Sequence, residues 1–214
     1  MREEGKVFSI GIDNLPLDGL TISRKVSADN SIYYFSLGAG TDISPEEYDY
    51  NKLLLSSLGT FSLYSSSFSR DIGKGSAVIT PAGIPVGTKS RDGAVYVEVE
   101  LGSETMINKK VKEGEVFALR ELIPYRKESI VNIDVLSNSK TKFVVMAFDE
   151  GTALSEHAAP GDAIVFALEG KATIGYEGKD YTIKEGENFH FAKGGKHSVK
   201  ADGRFKMALL LSLE

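Results

Sequence analysis

The chain repeats itself at a fixed offset of 111 residues, and a fixed internal period constrains architecture more than any local propensity does. Gly40-Thr41 returns as Gly151-Thr152, and the same step carries Gly59 onto Gly170, Ile72 onto Ile183, Gly75 onto Gly186 and Val86 onto His197. An earlier echo, Glu4-Gly5-Lys6-Val7-Phe8 and Glu113-Gly114-Glu115-Val116-Phe117, runs at an offset of 109, so the copies differ by two residues between their openings and Gly40 or Gly151. The 214 residues therefore divide into two similar units, predicted at 1–101 and 113–214, each of usual domain size. The joining segment, GSETMINKKVK at 102–112, is too short and too ordered in composition for a flexible tether, and the two units are expected to pack against each other. The copies are not chemically equal: all three histidines (His157, His190 and His197) belong to the second.

Short β-branched and aromatic runs punctuated by Gly, Asp and Asn recur about every ten residues, a pattern that predicts strands in a sandwich or barrel. SIYYFSL, FSLYSSSF and AVYVEVEL supply them in the first copy, and KFVVMAF, AIVFALEG and FKMALLLSL in the second. YEGKDY predicts a hairpin turned by Gly178-Lys179-Asp180. One segment carries a helix signal: Ser44-Pro45-Glu46-Glu47 has the form of a helix start before KLLLSSL. In the repeat register, however, KLLLSSLG falls on AIVFALEG, so 52–58 is expected to be a strand, with at most a turn of helix near 44–50.

Composition removes several function classes. A net charge of −5 without clusters of Lys and Arg does not make a nucleic-acid surface. Without cysteine there are no disulfides, zinc–thiolate sites or thiol nucleophiles. The opening MREEGKVFSIGID has no apolar stretch of signal-peptide length, and no run nears the roughly 20 apolar residues of a membrane span, so a cytoplasmic protein is expected. Neither the Ser-rich run 62–69 nor Lys193-Gly194-Gly195-Lys196 fits a nucleophile-elbow or phosphate-loop pattern.

The second copy resembles the cupin superfamily over about 148–212. The resemblance rests on Gly151-Thr-Ala-Leu-Ser155-Glu156-His157 leading to Phe166-Ala-Leu-Glu-Gly170, and on Glu185-Gly186-Glu187 leading through NFHFAKGGK to His197. The first copy keeps the skeleton, with Gly75 and Pro81-Ala82-Gly83-Ile84-Pro85, but has Glu46 where His157 stands and Val86 where His197 stands. The chain thus resembles a bicupin with a degenerate N-terminal barrel, the general plan of oxalate decarboxylase-like proteins. The resemblance implies an all-β fold of two tandem cupin (jelly-roll) barrels. It also implies a site at the mouth of the second, where such proteins usually offer three His and one Glu to a divalent metal.

Two of those four ligands are replaced, since Ser155 stands at the first histidine position and Ala163 at the glutamate position. The expected site is therefore Ser155, His157 and His197, with Ser155 and His157 sharing a strand face two residues apart. The preferred function is binding of a small polar or anionic molecule in the second barrel, contacted by His157 and His197, with the first barrel as scaffold or interface. The alternative is an enzyme using one divalent metal (Mn, Fe, Ni, Co, Cu or Zn) on His157 and His197 to oxidise, isomerise or decarboxylate a small acid or sugar. It needs Asp162, His190 or water in place of the missing ligands. The blandest alternative leaves the pair as satisfied buried histidines of a structural protein. His190, between Phe189 and Phe191, is expected to face solvent, Glu156 is expected at the surface, and Tyr176 and Tyr181 are expected to pack. Exposed jelly-roll edges also suggest a homodimer.

Overall fold

The computed structural model describes residues 4–26 and 31–213; the first three residues of the N-terminal segment lie outside them. The described residues form strands with two short 3-10 turns, and no helix is long and apolar enough to cross a membrane. The chain separates into two compact units, each built on its own antiparallel sheet system of nine strands among the described residues.

Among the described residues the first unit comprises 10–105 and Val111–Ala118, and the second comprises 4–9, Met106–Lys110 and 119–213. The opening strand of each copy therefore does not stay with that copy. Strand Val7–Phe8 pairs with Asn188–Phe191 in the second unit, while its echo Val116–Ala118 pairs with Ser76–Ile79 in the first. A division between 101 and 113 misses this exchange, because an echo in sequence says nothing about which sheet edge a strand completes.

Within each unit one long strand turns the corner between two layers. In the first unit Lys52–Tyr64 pairs through Lys52–Gly59 with Ala94–Glu100, and through Thr60–Tyr64 with Ser69–Gly73. In the second unit Asp162–Tyr176 pairs along its whole length with Lys196–Ser212, and through Lys171–Tyr176 also with Lys179–Lys184. The turn is made at equivalent places: the register shifts at Ser56/Leu58 and at Ala167/Glu169, and the glycines that follow, Gly59 and Gly170, have φ of 66° and 77°. A Cβ at either would meet a facing carbonyl oxygen at 2.3 Å (Gly93) or 2.0 Å (Arg204), so only glycine fits.

The segment 52–58 lies wholly within strand, as the repeat register requires, and 44–50 contains no helical turn, since strand Thr41–Glu46 runs through its start. The hairpin of the second unit turns on Glu177-Gly178, one residue earlier than expected. Tyr176 pairs with Lys179, and both turn residues have positive φ (48° and 76°), the signature of a two-residue type I′ turn. The two cores are aromatic. Tyr96 stacks on Phe35 and Phe61 in the first, with centroids 5.1 and 4.4 Å apart, and Phe189, Phe191 and Tyr176 interlock in the second.

Candidate functional site

In the second unit, strand Ala153–Ala158 lies antiparallel to Lys196–Ser212 with Leu154 opposite Val199 and His157 opposite His197. Three steps along one strand match two along the other, so a β-bulge occupies Ser155-Glu156. The bulge cancels the alternation on which a shared Ser155–His157 face was expected. Leu154 packs toward the core, His157 lies beside His197, and the side chains of Ser155 and Glu156 are at the surface. Ser155 gives the pair its carbonyl, not its hydroxyl: His157 Nδ1 lies 2.9 Å from Ser155 O.

The two imidazoles are 4.2 Å apart between centroids, inclined by 53°. His197 is 6% exposed and lies nearly parallel to the Phe191 ring at 4.0 Å, while His157 is exposed at the rim. His197 Nδ1 faces Gly195 O at 3.2 Å. A carbonyl only accepts, so in each ring Nδ1 carries the proton and Nε2 presents a lone pair. Burial holds the His197 pKa below its ordinary 6.5, and the neighbouring His157 adds to this against the opposing Gly195 bond. With each Nδ1 directed at a backbone carbonyl, the adjacent rings leave their Nε2 atoms for a ligand.

The other candidates lie elsewhere. His190 does not face solvent: it is 8% exposed, and its Nε2 is 3.9 Å from Asp162 Oδ1. Alternation does turn it away from the core aromatics Phe189 and Phe191, but the opposite face of this strand is also covered. Asp162 Oδ1 accepts the backbone N–H of Lys193 at 2.9 Å and so performs the turn role its sequence context suggested. Tyr176 and Tyr181 pack on Phe189.

A second feature was missed in sequence. The first unit has a cavity of about 270 Å³, open to solvent on one side, lined by Tyr33, Phe35, Tyr48 and Tyr96. Its polar side holds Lys52, whose Nζ lies 2.9 Å from Glu98 Oε1, both side chains being about nine-tenths buried (12% and 11% exposed), and 3.6 Å from the Tyr48 ring centroid. The Tyr48 hydroxyl donates to Glu46 at the rim. That bond, with burial behind it, pushes the hydroxyl up to about 12. Burial raises the Glu98 carboxyl above its usual range, and Lys52 offsets part of the rise. The signal was available: carrying the repeat into the strand interiors, rather than only across the motifs, would have found these residues.

Residues 144–213 match the family described as Cupin domain. A cupin 2 conserved barrel domain protein from Leptotrichia buccalis superposes with a TM-score of 0.86 over 98% of this chain and 97% of that one, at 22% identity. The fold is the cupin fold. Two enzymes share it at greater distance. Salicylate 1,2-dioxygenase from Pseudoaminobacter salicylatoxidans, solved as adducts with gentisate, has a TM-score of 0.61 and 12% identity, covering 85% of this chain and 68% of its own. Lactobacillus farciminis oxalate decarboxylase, solved as a formate complex, has a TM-score of 0.58 and 13% identity, covering 99% and 87%. No curated protein matches the chain in sequence.

A cupin metal centre does not fit the residues of this pair. The pair supplies at most two imidazole nitrogens, whereas a catalytic site generally needs three protein ligands. Ala163 supplies no donor, Ser155 turns outward, and Asp162 and His190 engage each other and Lys193. Among the described residues no group of three His, Cys, Asp or Glu side chains could hold a metal ion.

Proposed function

We propose that the protein is a cytoplasmic, bicupin small-molecule-binding protein in which His157 and His197 of the second barrel contact a polar ligand, with Ser155 contributing through its carbonyl. The observation that carries this is the tautomer of the pair: both Nδ1 protons are spent on backbone carbonyls, and both Nε2 lone pairs remain to accept. Two neighbouring Nε2 acceptors favour a ligand with adjacent hydrogen-bond donors, such as a polyhydroxy compound, and burial disfavours the charged His197 imidazole that an anion would need. The first barrel, having Glu46 and Val86 at the corresponding places, is degenerate with respect to this pair.

The test is 15N NMR of histidine-labelled protein titrated with glycerol, ribose and glucose. The reading predicts that both Nε2 resonances shift with one of these polyols at neutral pH, and that the shift of His197 is lost in His157→Ala. Nε2 resonances that ignore all three polyols but move on adding a stoichiometric divalent metal would replace this reading with the metal-enzyme one.

A further inference from the structure

The duplication provides an internal control on the first barrel. Strand pairing is the same in both units: Lys52 lies opposite Glu100 as Ala163 lies opposite Leu211, and Leu54 opposite Glu98 as Val165 opposite Leu209. At the 111-residue offset, Thr80, Thr88 and Tyr96 of the cavity likewise correspond to Phe191, Val199 and Met207. The second barrel therefore fills these places with apolar side chains, most of them in its core. The fold does not demand polarity there. A buried Lys–Glu pair is commonly no more stabilising than apolar residues of similar volume, so its presence around a cavity needs a reason other than stability.

The cavity's chemistry narrows what that reason is. Glu46, Glu98 and Glu100 stand against one ammonium, Lys52, so an anionic ligand would be repelled and a cation attracted. Lys52 occupies Oε1 of Glu98, and the Tyr50 hydroxyl is 3.4 Å from Oε1 of Glu100, which leaves further carboxylate lone pairs. Aromatic rings form the walls, and a cation already lies over one of them, that of Tyr48. The space is just below the ~300 Å³ at which pockets for drug-sized ligands begin, so the occupant is small. Walls made largely of aromatic rings suit the carbon body of an organic cation better than a bare hydrated ion.

We infer that the cavity of the first barrel binds a small organic ammonium ion, its amine held by Glu98 and Glu100 and its carbon body laid against the tyrosine rings. This site is in the other barrel and stands whether or not the histidine pair binds a ligand.

The experiment is saturation-transfer NMR and calorimetry on the full chain with three matched probes: butylammonium, 1-butanol and butyrate. Butylammonium is expected to bind at least tenfold more tightly than 1-butanol, and butyrate not to bind. A triple variant copying the second barrel (Lys52→Ala, Glu98→Leu, Glu100→Leu) should lose at least tenfold in amine affinity, while His157→Ala should leave it unchanged. Should the triple variant not fold, Glu100→Gln alone should weaken the amine severalfold. Absence of amine binding, equal binding of 1-butanol, binding of butyrate, or undiminished amine affinity in the variants would overturn the inference.

Discussion

At the scale of single residues, the two barrels pose different electrostatic problems in different places. His197 is kept neutral by burial first and by His157 second. In His157→Ala its pKa should rise, yet stay below 6.5, because the larger cause remains; an NMR pH titration reads this, and an unchanged value would mean the rings are not neighbours. The same depression links to stability. Below pH 6.5 the unfolded chain takes up a proton that folded His197 resists, so this contribution is whole above 6.5 and is lost as pH falls from there toward the folded pKa. His197→Gln should remove that part of the decline in urea midpoints between pH 7.5 and 5. In the first barrel Glu98→Leu alone leaves Lys52 buried and unpaired and should cost about 3 kcal/mol, whereas Lys52→Ala with Glu98→Leu should lie within ~1 kcal/mol of wild type. Thermal melts distinguish the two outcomes.

At the scale of elements, the corner strands bear the strain. Gly170→Ala must push a Cβ into Arg204 O and should cost roughly 3 kcal/mol, and Gly59→Ala should cost a similar amount. Gly151→Ala, also at positive φ but with nothing within 4 Å of the new atom, should cost only about 1 kcal/mol. Equal losses in chemical denaturation would contradict the corner geometry. Much of this architecture was legible in sequence, because the 111-residue step transmits register: it turned 52–58 into strand against a helix signal and aligned Glu46 with His157 and Val86 with His197. In their own units Glu46 stands opposite Val86 and His157 opposite His197. The bulge at Ser155-Glu156 was not legible, since an inserted residue leaves no mark on composition, yet it decides where Ser155 points. Nor could alternation show that both faces of Phe189-His190-Phe191 are covered.

At the scale of the whole molecule, duplication has separated two interiors on one fold. The copy that carries the histidines fills its barrel with Phe191 and Leu211, and the copy without them lines a polar cavity. The histidine motifs mark one barrel, and strand register marks the buried polar residues of the other. A homodimer remains a proposal, and sedimentation equilibrium on the untagged chain would show twice the monomer mass if it holds. The metal-free character of the histidine pair is the central claim. Elemental analysis of untagged protein, after incubation with Mn, Fe, Ni and Zn and removal of excess, tests it directly in wild type, His157→Ala and His197→Ala. The account predicts far less than one metal per chain in all three proteins. About one metal per chain in wild type, lost in both variants, would contradict it.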